Sequence, residues 1–278
     1  MSPFIRNTAY KGPVKAVILD WAGTVVDYGC RGPAAVFVEA FKHFGVQVDI
    51  DQARRFMGLE KKDHIRAMTQ LAEVAAQWKI QTGRQPDEND VAAIYAITEP
   101  MMITAIAKHC DIIPGGLDFV VGMRERGIKI GSCTGYTRPM MDTLAPLAAQ
   151  AGYAPDAAVC ASDVPAGRPY PWMCYQNAVH LQVYPMEAIV KIGDTLSDIE
   201  EGLNAGMWTI GLTQSGNELG LSLEEAAALP GEELQGRLDA IQARYEKAGA
   251  HYVAAGIWEC LPLIEAIDAR LARGERPL

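Results

Sequence analysis

Positive charge is in short supply: 25 Lys and Arg stand against 34 Asp and Glu, a formal net charge of −9. A nucleic-acid binder needs a basic face, so that class is disfavoured, and an anionic substrate must be met by a few local cations or a metal. The six cysteines (Cys30, Cys110, Cys133, Cys160, Cys174, Cys260) are scattered and never spaced C-x-x-C. That argues against both a zinc site and a disulfide framework, and makes reduced thiols in a cytoplasmic protein the simpler expectation. No run approaches the roughly 18 apolar residues of a membrane span, and residues 1–12 lack the apolar stretch of a signal peptide. No membrane partner is expected. A dinucleotide fold would want G-x-G-x-x-G after its first strand, where this chain reads Asp20-Trp21-Ala22-Gly23-Thr24.

What is present reads as an α/β protein. Apolar residues make up 49 % and charged residues 21 % of 278, enough for one large domain or a core with a smaller insert. Short apolar runs predict strands at Val14–Leu19, Ile128–Ser132, Ala157–Cys160, Ile189–Ile192 and Trp208–Leu212. Helical stretches alternate with them at Gly116–Arg126, Arg138–Ala151, Trp172–Leu181 and Ser197–Ala205. This alternation predicts a doubly wound, Rossmann-like parallel sheet, which binds ligands beyond the carboxyl ends of its strands. Asp20, Thr134 and Asp194 fall at or just after such ends. Residues 29–108 interrupt the pattern with helix formers at Pro33–His43, Asp51–Met57, Lys62–Gln77 and Glu88–Lys108 and no convincing strand. The expected organisation is therefore an α/β core over 1–28 and 109–278 and an inserted helical cap over 29–108. The last ~60 residues are expected to pack on or extend the core without carrying chemistry.

A carboxylate at a strand end before a glycine turn, as at Asp20, can attack phosphorus with one oxygen and bind magnesium with the other; taken alone it reads equally as a turn or helix-capping residue. It has company in Gly193-Asp194-Thr195-Leu196-Ser197-Asp198. Two carboxylates four apart at a strand-to-helix turn suit Mg²⁺, with Asp194 as direct ligand and Asp198 behind it orienting it or a bound water. Asp198 is also what a helix dipole favours in a first turn.

Taken together, Asp-x-x-Gly-Thr, a threonine after the second strand, a later basic residue and Gly-Asp-x-x-x-Asp resemble the four motifs of the haloacid-dehalogenase superfamily. The resemblance implies Asp20 as nucleophile, with Mg²⁺ held by Asp20, the Ala22 backbone carbonyl and Asp194. It implies Thr134 as a hydrogen-bond donor to phosphoryl oxygens. Arg168, in Val164-Pro165-Ala166-Gly167-Arg168-Pro169, would be the third-motif cation where a lysine is more usual; a guanidinium can grip two phosphoryl oxygens at once.

Two departures narrow the chemistry. Phosphatases of the superfamily carry a general acid two residues after the nucleophile, and here that position is Ala22. Its loss would cost an ordinary phosphate-ester hydrolase roughly 10²–10⁴-fold. In the cap, Met57, Lys61, His64, Ile65 and Met68 share one face at helical spacing, so Lys61 projects from an apolar stripe while Lys62 points away with Arg66. A lysine against apolar surface loses its proton more readily, and a neutral amine condenses with aldehydes; the bland reading is a snorkelling lysine. One reaction fits both oddities. An iminium on Lys61 gives a P–C bond an electron sink, so no alkoxide needs a proton from position 22. The motifs around Cys30, Met57-Gly58-Leu59 to His64, Gly135-Tyr136-Thr137-Arg138 and Val164–Trp172 are similar to the phosphonate-cleaving branch of the superfamily. That resemblance implies a small phosphonate aldehyde as substrate and Lys61 as Schiff-base residue. It implies supporting places for Met57, His64, Cys30, Gly58 and Tyr136, and a homodimer through the cap. Hinges are expected at Gly29–Gly32 and Lys108–Gly116. The competing readings are a phosphatase or phosphomutase on a small phosphate ester, and a non-catalytic phosphate-binding module.

Overall fold

The computed structural model describes residues 9–277. β1 (Ala16–Leu19) leads into five consecutive helices: α1 (Arg31–Lys42), α2 (Ile50–Arg54), α3 (Lys61–Thr69), α4 (Ala72–Thr82) and α5 (Glu88–Lys108). Alternation then resumes with α6 (Gly116–Glu125), β2 (Lys129–Thr134), α7 (Arg138–Gln150), β3 (Ala157–Cys160), α8 (Trp172–Leu181), β4 (Ile189–Gly193), α9 (Leu196–Asn204) and β5 (Trp208–Leu212). The chain closes with α10 (Leu223–Ala228), α11 (Gly231–Lys247), β6 (Tyr252–Ala254) and α12 (Cys260–Ala272).

All strand pairs are parallel, in the order β3-β2-β1-β4-β5-β6. Winding runs outward from β1 on one side and from β4 on the other, so the crevice between crossovers opens at the carboxyl ends of these two strands. Their register pairs Leu19 with Ile192, and Asp20 donates its backbone N–H to the Ile192 carbonyl at 3.0 Å. This brings Asp20 and Asp194 to adjoining strand ends. β1 is buried throughout and splits its side chains by alternation: Val17 and Leu19 join one apolar cluster, Ala16 and Ile18 the other.

Most boundaries shift by one or two residues, and three differences bear on the site. β2 runs on to Thr134, because Gly131–Thr134 pair with β3. The helix expected over Lys62–Gln77 is two, α3 and α4, broken at Gln70–Leu71, and α2 stops at Arg54. Met57 is therefore not on the Lys61 helix: Gly58 takes φ +90°, which glycine alone adopts without strain, and α3 begins only after it. Glu60 caps α3, its carboxylate accepting the backbone N–H groups of Lys62 (2.9 Å) and Asp63 (3.1 Å). β6 is an addition to the expected sheet.

Among the described residues one helix, α5, is long and apolar enough by length and composition to cross a membrane, contrary to the reading of the sequence. Here it packs on α1, α3 and α7, and the apolar cluster it joins continues from the cap into Trp21, Tyr136 and Met140 of the core.

Ile210, fully buried in β5 between β4 and β6, tests the sheet core. Ile210→Ala should cost about 2–5 kcal/mol, read as a lower urea midpoint at unchanged slope.

Candidate active site

At the carboxyl ends of β1, β2 and β4 lies a small cavity with about 290 Å³ of space, part of it open to solvent. Its core wall is Asp20, Ala22, Thr134, Gly135, Tyr136, Arg168, Asp194 and Thr195; its cap wall is Cys30, Pro33, Met57, Gly58 and Lys61. The sequence candidates thus converge from six segments of chain. His64 and Asp198 are the exceptions, lying behind the wall.

Asp20, Asp194 and Asp198 are buried, and one carboxylate oxygen of each lies within 4.8 Å of the others. Asp194 Oδ2 accepts the Asn217 backbone N–H at 2.7 Å and the Cys30 thiol at 3.3 Å. Burial, reinforced by Asp20 and Asp198, pushes its carboxyl well above the usual range. A group of oxygens this close, one strained toward protonation by its neighbours, suits a hard divalent cation. Asp198 is spoken for differently. It closes a capping box at the start of α9, its Oδ2 accepting the Thr195 hydroxyl at 2.6 Å, while Oδ1 meets Lys191 and, at 3.0 Å, Arg168. Burial alone would raise its pKa, but the two cations outweigh that and hold it below the carboxylate norm.

Arg168 is the hub. Its guanidinium reaches Asp20 Oδ1 at 2.9 Å, Glu201 Oε2 at 2.8 Å, the Cys133 carbonyl at 3.1 Å and the Gly58 carbonyl at 3.3 Å. The last of these ties core to cap. Thr134 Oγ1 accepts the Tyr136 backbone N–H at 3.1 Å, leaving its hydroxyl hydrogen for another acceptor.

Lys61 is buried (2 % exposed), with its ammonium over the Tyr136 ring at 4.9 Å and the Phe37 ring at 5.8 Å. Among the described residues it forms no salt bridge. Desolvation brings its pKa down to about 8, against the pull of Asp20 and Glu60. His64, one turn on, stacks on Phe37 at 3.9 Å and its Nε2 meets the Ala53 carbonyl at 2.9 Å. Burial, with Lys61 adding to it, holds its pKa well below the norm. Its place is to brace the ring beside Lys61.

Sequence reasoning passed over Glu201, Lys191, Asn217 and Tyr245. Lys191 stands fully buried within an apolar strand, which demands a partner. Glu201 lies one turn beyond Asp198 on the same helix face. Both signals were present. Asn217 acts through its backbone, and Tyr245 donates its hydroxyl to the Asp194 carbonyl from the C-terminal stretch expected to be inert; no local pattern marks either.

A fold with this sheet order, an inserted helical cap and an Asp cluster at the β1/β4 ends defines a class of hydrolase. A family model of haloacid dehalogenase-like hydrolases matches residues 14–206, and the chain belongs to that family. Over 277 residues it is 54 % identical to a phosphonoacetaldehyde hydrolase of Nitratidesulfovibrio vulgaris, covering all of this chain and 99 % of that one. It is 48 % identical to the Bacillus cytotoxicus protein of the same name, over 92 % of this chain and 97 % of the other. The crystal structure of a phosphonoacetaldehyde hydrolase like protein from Oleispira antarctica superposes with a TM-score of 0.96 at 39 % identity, over 99 % of this chain and all of that one.

The depressed Lys61 pKa makes a stability prediction. The unfolded lysine holds its proton to about 10.5, the folded one only to about 8. The cost to the fold is therefore present in full below pH 8 and vanishes as pH rises through 10.5. Lys61→Met should stabilise the protein by about 1–3 kcal/mol at pH 7, with the gain shrinking toward pH 10.5, as chemical denaturation across pH will read.

Proposed function

We propose that the protein hydrolyses the carbon–phosphorus bond of phosphonoacetaldehyde to acetaldehyde and phosphate, within the breakdown of 2-aminoethylphosphonate. The observation that carries this reading is a buried lysine that pairs with no carboxylate among the described residues, facing the same cavity as the motif aspartate, with alanine where an ester hydrolase keeps its acid. Relatives named for this activity, similar over 92 % of the chain or more, support it.

The neutral Lys61 amine adds to the aldehyde, and the adduct takes up one proton as it loses water, giving an iminium. An Asp20 carboxylate oxygen attacks phosphorus in line with the P–C bond, whose electron pair flows into the iminium and leaves an enamine. Water then cleaves the aspartyl-phosphate. Protonation of the enamine carbon gives a second iminium, and a second water releases acetaldehyde and a proton and restores the Lys61 amine. One water is expelled and two are consumed, so the net reaction takes one. Arg168, already on Asp20, neutralises charge gathering on the phosphoryl oxygens, and the Thr134 hydroxyl donates to one of them. Mg²⁺, held by Asp20, Asp194 and the Ala22 carbonyl with Asp198 behind, would add Lewis-acid neutralisation of the same oxygens. Met57, Cys30, Gly58 and Tyr136 exclude water from the iminium by filling the wall around it. Movement of the cap about Gly29–Gly32 and Lys108–Gly116 would admit substrate. The reading extends to a cytoplasmic homodimer joined through the cap, where Val36, Met101 and Ala105 line a groove between α1 and α5.

Release of phosphate and acetaldehyde from phosphonoacetaldehyde tests the proposal. Lys61→Arg and Asp20→Ala should each lower kcat/KM by on the order of 10⁴-fold or more, and borohydride with substrate should attach a two-carbon label to Lys61 in the wild type. Turnover of phosphate esters with no label on Lys61 would overturn it in favour of a phosphatase. Chelation should abolish activity, and added Mg²⁺ should restore it.

A further inference from the structure

Arg54 ends α2, seven residues before Lys61, and its half-buried guanidinium leaves the cap to bind the core. Nη1 donates to the Gly29 carbonyl at 2.8 Å, the Asn217 side-chain oxygen at 3.2 Å and the Asn217 carbonyl at 3.4 Å; Nη2 donates to the Gly220 carbonyl at 3.0 Å. Asn217 answers by donating its side-chain amide to the Arg54 carbonyl at 3.1 Å. The fit is close enough that a β-carbon on Gly220 would stand 2.7 Å from the Arg54 guanidinium carbon, and Gly220 holds φ +68°.

The segments so gripped are those that set Asp194. The Asn217 backbone N–H is the 2.7 Å donor to Asp194 Oδ2, and Gly29 precedes Cys30, whose thiol donates to the same oxygen. Gly29 is itself bonded to the Ser215 carbonyl at 2.8 Å. Four neutral oxygens around one guanidinium, with no carboxylate among them, and an amide returned to the Arg54 carbonyl form a geometric clamp more than an ion pair.

We propose that Arg54 is a positioning residue that seats the Lys61-bearing segment, residues 54–61, on the loop that aims Asp194, so that the amine and the acidic cluster come into place together. The inference rests on the reading of Lys61 and Asp194 as partners in one reaction, but the clamp itself is tested without turnover.

Arg54→Met keeps the aliphatic stem and deletes the clamp. Asn217→Ala deletes only the side-chain bonds and leaves the backbone donor to Asp194. In the substrate-free protein, acetic anhydride should modify Lys61 faster in both variants, by roughly 10-fold or more in Arg54→Met, relative to exposed Lys62 as internal standard. Mg²⁺ should bind more weakly by calorimetry, while the melting temperature changes little. Arg54→Lys, able to reach only some of the acceptors, should fall between. With phosphonoacetaldehyde, kcat/KM should drop roughly 10–100-fold in Arg54→Met. Wild-type protection of Lys61 together with wild-type Mg²⁺ affinity in Arg54→Met, or in Asn217→Ala should the first variant not fold, would overturn the proposal. Faster labelling of Lys61 in variants of a protein that does not cleave phosphonoacetaldehyde would keep the clamp and reject the reaction.

Discussion

The arrangement at the strand ends depends on the burial of Arg168 among Asp20, Asp198 and Glu201. A guanidinium cannot give up its proton, so its desolvation must be met by anions, and these carboxylates in turn need cations. Counting the site, four buried carboxylates (Asp20, Asp194, Asp198, Glu201) face three buried cations (Arg168, Lys191, Lys61). Replacing such a network with apolar residues often leaves a fold no less stable. Its physical value lies in pinning Asp20 to one rotamer and in leaving Asp194, the one of the four with no salt bridge among the described residues, ready for a cation from solution.

Two lysines show how one fold drives the same side chain in opposite directions. Lys191 and Lys61 are both buried, and burial pulls both pKa values down. For Lys191 the contact with Asp198 wins and its pKa rises above the norm; it is a permanent cation beneath the sheet ends. The Lys61 ammonium instead lies over the Tyr136 and Phe37 rings, a weaker claim on a charge than a paired carboxylate, and desolvation wins. The second is the one that can be a nucleophile near neutral pH. The difference comes from the partner, since depth is the same.

The fold was legible in the chain because its strands are short apolar runs ending at Asp20 and Asp194, and because the helical insert has no strand-like alternation. Residues that announce themselves by type and place, such as Asp20, Asp194 and Lys61, could be picked out as candidates for the same reason, and they line one cavity. What escaped was set by tertiary contact. Periodicity carried Met57 onto the Lys61 helix, whereas the positive φ of Gly58 puts a turn between them and still brings Met57 to the cavity wall. Asn217 works through a backbone N–H, which every residue but proline has, so its side chain gave no hint of it. Tyr245 reaches Asp194 from 51 residues away, beyond any local pattern.

Ala22 then becomes intelligible beside Lys61. A carboxylic acid at position 22 would face the same cavity and add a further buried negative charge beside Asp20 and Asp194. It would also draw the Lys61 amine toward its protonated form, as Asp20 and Glu60 already do from their positions. An acid for an alkoxide and a neutral amine for an aldehyde are therefore hard to keep in one small pocket. The methyl group of Ala22 and the ring faces of Phe37 and Tyr136 settle the conflict toward the amine, the form that the proposed electron sink on carbon requires.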